Sequence, residues 1–188
     1  IANRLVGSEM CIRDRPTAQV IFDDCNVSSK KLLGEENKGF IYAMQGLDGG
    51  RLNIAAAALG GAQTALNIAK KYIKERKAFG KNLSEFQGLQ FKVADMEIAI
   101  NSSRTFLREA AWKLDNAKSD AGVYCAMAKK FVTDNSFNIA NNSLQLLGGY
   151  GYLADYGIEK IVRDLRVHQI LEGTNEIMQL IVARDSLK

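Results

Sequence analysis

The chain has 188 residues, of which 47% are hydrophobic and 24% charged, with one proline and sixteen glycines. These proportions are typical of a soluble globular chain with a sizeable core, and the single proline favours long helices because proline interrupts them. The net charge of +4 is spread along the chain, which argues against a nucleic-acid-binding stripe but suits an anionic ligand.

The cysteines and the histidine narrow the class of site. Cys11, Cys25 and Cys125 are odd in number and far apart, which favours a reducing compartment over a disulfide framework or a zinc site. No apolar run approaches the ~20 residues that span a bilayer. His168 is the one histidine, so we predict no metal site and interpret His168 as a structural, hydrogen-bonded side chain.

The first 36 residues differ from the rest of the chain. Residues 1–15 have no helical or strand periodicity, and the string VGSEMCIRDR resembles a translated sequencing adaptor. We therefore expect a non-native leader there, with a native loop as the alternative. Residues 17–23 have the pattern of a strand, and a polar turn at 26–31 follows it.

From Gly39 onward the sequence is predicted to be almost wholly helical. The first helix repeats leucine or isoleucine every seven residues with alanine between them, which is typical of a buried stripe. The second has apolar residues three or four apart, and the third, from about Asp120 to Leu147, ends at Gly148-Gly149. The three stripes are Leu52, Leu59, Leu66 and Ile73 with Ala56, Ala62 and Ala69; Leu89, Val93, Met96, Ile100 and Leu107; and Val123, Met127 and Phe131.

The helix ends complete this pattern. Ser84 and Gln87 have the spacing of a capping box at the start of the second helix. A short helix from about Gly157 to Leu165 and a last helix from Thr174 follow. Long helices with short connections pack as an antiparallel bundle of the four-helix type, so we predict a mainly α fold.

Five loops at the predicted helix ends carry the residues suited to chemistry. They are Leu47–Arg51, Arg76–Gly80, Leu144–Gly151, Arg163–Arg166 and Gln169–Glu176. In this order and spacing they closely resemble the acyl-CoA dehydrogenase family, over about Thr17 to Lys188. The runs 148–153 and 167–173 most resemble the branch that acts on isobutyryl-CoA. The resemblance implies that 16–36 is the C-terminal edge of a middle β domain and that 37–188 is the C-terminal helical bundle.

Glu172 matches the catalytic base of most of the family. A carboxylate in apolar surroundings is a stronger base for the α-proton of a thioester, and Leu171 and Ile170 are apolar neighbours. From the residues alone, the alternative is a carboxylate that interacts with a helix dipole. One family branch carries its base immediately before the arginine that matches Arg51. Here that residue is Gly50, which favours Glu172.

The resemblance implies FAD as the cofactor. Arg76, Phe79 and Gln87 resemble the segment that reaches the adenosine diphosphate end of a neighbouring subunit's flavin, and arginine suits a pyrophosphate because its planar fork donates two hydrogen bonds. Helix capping is the alternative for Gln87 and for the contacts to the subunit's own flavin. The neighbour's flavin would also meet Gln145, Leu146, Leu147, Gly148 and Gly149, and the subunit's own flavin would meet Thr174, Asn175 and Glu176.

Other residues resemble the contacts to the acyl-CoA substrate. Asp48, Gly49, Gly50 and Arg51 match positions near the thioester and coenzyme A, and Gly173 would let the backbone approach the acyl chain. Arg184 resembles a coenzyme A contact. A helix-kink aspartate and surface arginines are the alternatives for Asp48, Arg51 and Arg184.

The implied reaction is dehydrogenation of a short, branched or unbranched acyl-CoA to the 2,3-enoyl-CoA, with electron-transfer flavoprotein as acceptor. The full enzyme would be a tetramer, cytoplasmic in a bacterium or in the mitochondrial matrix of a eukaryote, and this chain would be a fragment that is inactive alone. The alternatives are an acyl-CoA oxidase of the same superfamily, a non-catalytic helical assembly module, and a lipid or acyl carrier binder without redox chemistry.

Overall fold

The computed structural model describes residues 20–188, so the leader expected at 1–15 lies outside the described residues. Two compact units divide after Ala43. The elements are α1 (Gly39–Glu75), β1 (Lys77–Ala78), β2 (Lys81–Asn82), α2 (Gln87–Asp115), α3 (Ala121–Leu147), α4 (Ile158–His168) and α5 (Asn175–Ser186). The mainly helical fold is confirmed.

In α1 the heptad stripe is buried as predicted. Ala62 and Ala69, each three residues after a stripe residue, lie on the same core face and leave room for close helix approach. The expectation for Ala56 was wrong, since it is exposed while Ala55 is buried. The alanine that is buried on the core face is therefore the one three residues after each leucine, not four. The buried stripe residues are Leu52, Leu59, Leu66 and Ile73.

Two cross-helix contacts fix the direction of α2 against α3. Asn135 donates from Nδ2 to Ser103 Oγ at 3.1 Å, and Ser143 Oγ donates to Met96 Sδ at 3.6 Å. The residue number falls along α2 as it rises along α3, so the two helices are antiparallel. The predicted α2 stripe packs in this core, with Met96 and Ile100 buried and Leu89, Val93 and Leu107 partly buried.

α3 buries a face that the sequence pattern did not identify. The predicted stripe was wrong, because Val123 and Met127 are only half-buried and Phe131 is exposed, edge-on to the Phe106 ring. Small and polar side chains let α2, α4 and α5 pack around α3. The buried α3 residues include Cys125, Ala128, Lys129, Val132, Thr133, Ser136, Ala140 and Ser143.

The helix ends follow their glycines. α3 ends at Leu147, and Gly148 after it has φ of 60°, as expected for a glycine stop. Single turns of 3-10 helix at Gly148–Tyr152 and Ala154–Tyr156 lead to α4. Within the first turn a Cβ on Gly151 would lie 2.6 Å from the Leu144 carbonyl oxygen, so the chain turns back against α3 only with glycine there.

The connection from α1 to α2 is a hairpin with its own cap. β1 and β2 are antiparallel, with Lys77 opposite Asn82. A 3-10 turn at Leu83–Glu85 follows, and the Glu85 carboxylate accepts from the Asn82 backbone N–H at 2.8 Å. The capping box expected from Ser84 and Gln87 was therefore wrong. The carboxylate three residues after Asn82 reaches back instead.

The unit before Met44 has little regular structure in its described part. Residues 20–23 form no strand, because no described segment pairs with them, and the rest of the expected strand lies outside the described residues. A 3-10 turn spans Ser29–Lys31. Gly34 has φ of 75°, and the Tyr42 hydroxyl accepts from the Glu35 N–H at 3.2 Å.

Between residues 20 and 188, no helix combines the length and hydropathy needed to cross a bilayer.

Candidate active site

The loop between α4 and α5 is held in a rare backbone conformation. Glu172 has φ of 56° and Gly173 has φ of 86°, so two successive residues are left-handed. Glycine adopts this conformation freely, but a glutamate does so only where its surroundings impose it, which is common at functional sites. A Cβ on Gly173 would also lie 2.9 Å from Met178 Cε, so glycine is required there for space as well.

The Glu172 side chain turns inward onto α1. Its carboxylate lies directly over Gly50, where the carboxyl carbon is 2.9 Å from the position that a Cβ would take. Glu172 is half-buried by this contact. The structure thus brings together the two places at which the resemblance set a base, and only one of them carries a carboxylate.

Asp48 and Arg51 form an ion pair next to this contact. The two residues flank Gly49 and Gly50 in the sequence. Arg51 donates to Asp48 Oδ1 at 2.6 Å, and the Arg51 side chain is 12% exposed. The Asp48 carboxylate lies against Gly122 at the start of α3, with Oδ2 3.4 Å from where a Cβ would be. Arg51 Nε is buried and has no hydrogen-bond partner among the described residues, so this guanidinium keeps a donor for a bound group.

Cys125 lies beside this ion pair. Burial raises the pKa of its thiol to about 11, and the Asp48 carboxylate adds to that rise while Arg51 opposes it. A thiol with so high a pKa stays protonated at neutral pH and is a poor nucleophile. Cys125 is therefore a packing residue.

Lys129 is a buried charged residue beside this loop that the sequence interpretation missed. It is fully buried on α3, and its ammonium donates to the Gly173 carbonyl at 2.8 Å and to Asn175 Oδ1 at 2.7 Å. Burial lowers the pKa of Lys129 to about 8, although nearby carboxylates, Asp134 first, oppose the shift. The sequence carried no clear signal for this burial, since Cys125 and Thr133, which share its helical stripe, are small or polar.

Asn175 is buried and bonded entirely within the protein. Its Nδ2 donates to Asp134 Oδ1 at 2.7 Å and to Thr133 Oγ1 at 3.0 Å, while its Oδ1 accepts from Lys129. Gln169, on the other side of the loop, also donates to Asp134 Oδ1 at 2.6 Å. The Asn175 side chain thus ties the loop to α3, and its backbone N–H closes the loop by donating to the Gln169 carbonyl at 3.0 Å.

Thr174 caps α5, and Thr174 and Glu176 both line a polar cleft. Thr174 Oγ1 accepts from the Ile177 N–H at 3.4 Å. A hydrogen bond from its own backbone N–H, and then one with Thr174, holds the pKa of Glu176 below its usual value. The capping alternative is therefore observed. The cleft has a volume of about 270 Å³, with Lys130 and Arg166 also in its wall.

A second cleft joins the two segments expected at a neighbouring subunit's flavin. Arg76 and the run Gln145, Leu146, Leu147 and Gly148 line one depression of about 330 Å³. Gly149 lines an adjoining one with Arg76 and Tyr150. The Arg76 guanidinium lies 5.7 Å from the centre of the Tyr150 ring, within cation–π range, which orients it toward both depressions.

Phe79 and Gln87 stand on the surface near this region. Phe79 is 96% exposed, with φ of 52° in the turn of the hairpin, and its ring meets Phe86 edge-on at 6.3 Å. An aromatic ring presented so fully to solvent suits stacking against a planar ligand. Gln87 is the exposed first residue of α2.

Arg184 and His168 lie outside the two clefts. Arg184 is on the surface and His168 is in the core. Arg184 is exposed in the last turn of α5, ten residues after Thr174 and so about 15 Å along the helix. His168 is buried at the end of α4. Neither lines the two clefts.

Comparison with known proteins gives this arrangement a family. A family model described as "Acyl-CoA dehydrogenase, C-terminal domain" matches residues 37–187. The chain is 48% identical over 174 residues to mitochondrial isobutyryl-CoA dehydrogenase of Bos taurus, a match covering 93% of this chain and 42% of that protein. It is 42% identical over 178 residues to the short-chain-specific acyl-CoA dehydrogenase of Clostridium acetobutylicum, covering 95% and 47%.

A solved structure agrees with this. Butyryl-CoA dehydrogenase from Megasphaera elsdenii superposes with a TM-score of 0.87 and 40% identity, over 90% of this chain and 44% of that one. The chain thus spans less than half the length of each of these relatives. The matched stretch contains all five helices and the loop that bears Glu172. The chain therefore belongs to the acyl-CoA dehydrogenase family, of which it carries the C-terminal domain.

Proposed function

We propose that the protein containing this chain removes the α-proton and the β-hydride of a short-chain acyl-CoA, with FAD as cofactor, to give the 2,3-enoyl-CoA. The observation that carries the proposal is the Glu172 carboxylate, turned inward over Gly50 by a left-handed loop. A half-buried carboxylate in an imposed conformation has the features of a positioned base.

Glu172 acts by taking the α-proton. The electron pair of the broken C–H bond forms the new double bond as hydride leaves the β-carbon, and FAD, when bound, supplies the acceptor for that hydride. Gly50 contributes space, since its missing side chain leaves room for the carboxylate on α1. Near-attack positioning of this kind accounts for a large share of enzymatic rate acceleration.

Two sets of residues fit a flavin. Arg76 and the run 145–149 share one region in which a guanidinium and glycine-rich backbone face two open depressions, and Phe79 offers an exposed ring near it. These groups suit a pyrophosphate and an adenine, contributed to a flavin of a neighbouring subunit. Gln87 belongs to this set through its position at the α2 start. Thr174 and Glu176, which line the polar cleft together with Asn175, would meet the subunit's own flavin.

The acyl-CoA would lie along α1. Arg51 keeps a buried donor, Nε, that the described residues leave without a partner, and its ion pair with Asp48 fixes the guanidinium in place. Gly49 has open space around an added Cβ, while Gly50 holds the carboxylate. The exposed Gly173 lets the acyl chain approach the backbone beside the base. Arg184, exposed on α5, would meet the coenzyme A part.

Similarity to the isobutyryl-CoA dehydrogenase of Bos taurus supports a short, branched substrate, namely isobutyryl-CoA. From the resemblance to the acyl-CoA dehydrogenase family we propose a tetrameric assembly and electron-transfer flavoprotein as acceptor. Residues 20–43 support the idea that more of the protein covers this chain, because Phe22, Leu33 and Phe40 are 74–86% exposed. We therefore propose that the chain alone is inactive.

The test is Glu172→Gln in a full-length protein that carries this chain, assayed with isobutyryl-, butyryl- and 2-methylbutyryl-CoA. The amide keeps the shape of the side chain but cannot take the proton. We expect kcat to fall by about 10²–10⁴-fold, which is the usual contribution of a general acid–base group. Glu109→Gln, on the exposed face of α2, should leave kcat unchanged. Full turnover by Glu172→Gln would overturn the proposal.

A further inference from the structure

A fully buried lysine is bonded to the loop that carries Glu172. Lys129 Nζ donates to the Gly173 carbonyl at 2.8 Å and to Asn175 Oδ1 at 2.7 Å. These two acceptors stand on either side of Thr174, and Gly173 is the residue directly after Glu172. A single ammonium on α3 thus fixes both the left-handed corner of the loop and the first turn of α5.

A lysine is an expensive choice for this position. An ammonium group taken out of water costs several kcal/mol unless its partners compensate for the lost hydration. An apolar residue would pack α3 without that penalty. The ammonium is therefore explained by what it bonds, which is the backbone directly after the left-handed Glu172.

We propose that Lys129 is a positioning residue, which holds the Glu172 carboxylate over Gly50 by anchoring the Gly173 carbonyl and the Asn175 side chain. This inference rests on the proposed function, because it assigns a role in placing the proposed base. Lys129 makes no contact with the reacting carbon atoms in this account. It acts through the loop.

The positive charge of Lys129 should also affect the carboxylates around it. Asp134 on its own helix, Glu176 on α5 and Glu172 in the loop present negative charge to the ammonium, and Arg51 on α1 presents positive charge. A nearby cation favours the ionised form of a carboxylate. Removing the ammonium should therefore move the acidic limb of the pH–rate profile toward higher pH, an effect that a purely mechanical role would not produce.

The kinetic test is Lys129→Met in the full-length enzyme. We expect kcat to fall about 10–100-fold with KM within about threefold of the wild type, because a misplacement near 1 Å costs about 10²-fold in the chemical step. The isotope effect with α-deuterated substrate should rise, and the acidic limb should move up. Lys129→Arg keeps the charge, so its acidic limb should stay where the wild type has it.

Val132→Ala is the matched control. Val132 is fully buried on the same helix, so its truncation leaves a cavity, but it makes no bond to the loop. It should lower stability while leaving the pH profile and the isotope effect unchanged. If Lys129→Met yields no folded protein, Lys129→Gln replaces it in the same measurements. Glutamine removes the charge but keeps a side-chain NH2 group that can donate hydrogen bonds.

Hydrogen exchange on the 188-residue chain gives a readout that is independent of turnover. Lys129→Met should speed exchange selectively at the amides of residues 170–176, whereas Val132→Ala should speed it across α2 and α3. Wild-type exchange in 170–176 together with a wild-type pH profile in Lys129→Met would overturn the positioning role. If Glu172→Gln also keeps full turnover, the proposed function fails. If only Lys129→Met is unaffected, the positioning role fails alone.

Discussion

The Glu172 carboxylate fills the space that a side chain at position 50 would need. The two positions are 122 residues apart in sequence (172 − 50) and meet because α1 and the α4–α5 loop pack on the same side of the bundle. The position before the arginine, at which one family branch carries its base, and the Glu172 carboxylate therefore lie together in space.

Gly50→Ala should impair turnover more than folding. The new methyl would displace the Glu172 carboxylate, which is the end of a flexible side chain, so the loop need not move. We expect kcat in the full-length enzyme to fall at least about tenfold, while the free energy of unfolding stays within about 1 kcal/mol because alanine favours the helix. Steady-state kinetics and urea unfolding measure the two effects.

Gly60→Ala is the control for this variant. Gly60 lies on the same helix with nothing within 4 Å of an added Cβ. It should raise stability by up to about 1 kcal/mol and leave kcat unchanged. Equal kinetics for the two variants would show that Glu172 does not need its place above Gly50.

Gly173→Ala should destabilise the fold through both conformation and space. Gly157→Ala separates the two causes, because Gly157 also has a left-handed φ but open space around its Cβ, whereas Gly173 faces Met178 Cε. We expect Gly157→Ala to cost about 1 kcal/mol and Gly173→Ala to cost about 1–3 kcal/mol more. Urea unfolding of both variants checks the order, and equal losses would contradict it.

Lys129 should give the chain a stability that rises in alkaline solution. Burial lowers its pKa from 10.5 to about 8 in the folded state. Between those values the unfolded chain binds more protons than the folded chain, so the free energy of unfolding increases with pH; below the folded value this residue contributes no slope. The free energy of wild type minus that of Lys129→Met should be larger near pH 10 than near pH 7. If this difference in the free energy of unfolding were the same at both pH values, the lowered pKa of Lys129 in the folded state would be contradicted.

Arg76→Lys should weaken FAD binding by the full-length protein about tenfold or more, since lysine loses the two-pronged hydrogen bond that a guanidinium offers a pyrophosphate. Titration of apoprotein with FAD measures the change. Arg108→Lys, on the exposed face of α2, should bind FAD as the wild type does.

The isolated 188-residue chain should not retain FAD at a molar equivalent after purification, because the set around Arg76 serves a neighbouring subunit's flavin in our proposal. An absorbance spectrum of the purified chain decides this. A stoichiometric flavin band would contradict the proposed division of the site.

The α1 and α2 stripes were predictable because large apolar side chains at helical spacing mark one face. The face of α3 was not, since Cys125, Ala128 and Thr133 are small or polar, and burial there depends on how closely neighbouring helices approach. A single-sequence pattern contains no information about that distance. The cap at Asn82 was missed for another reason. Two capping patterns, Asn82 with Glu85 and Ser84 with Gln87, overlap within six residues, and the sequence does not show which of them forms.

For the site, the family likeness identified Glu172 and the segments around Arg76 and Gln145. Lys129 escaped because its role depends on a contact 44 residues away, with Gly173. Asn175 was expected at the flavin, and the structure shows that its side chain bonds Asp134 and Thr133. The side chains at a helix start use the same atoms to cap the helix and to contact a ligand. A three-dimensional structure is therefore needed to tell the two roles apart.

The distance in sequence between Gly50 and Glu172 also bears on how the protein acquires activity. A contact across more than a hundred residues closes a long loop of chain, and its entropy is lost before the contact contributes anything in return. A nascent chain that ends before residue 172 would already contain α1 to α4, and it would still lack the carboxylate that lies over Gly50.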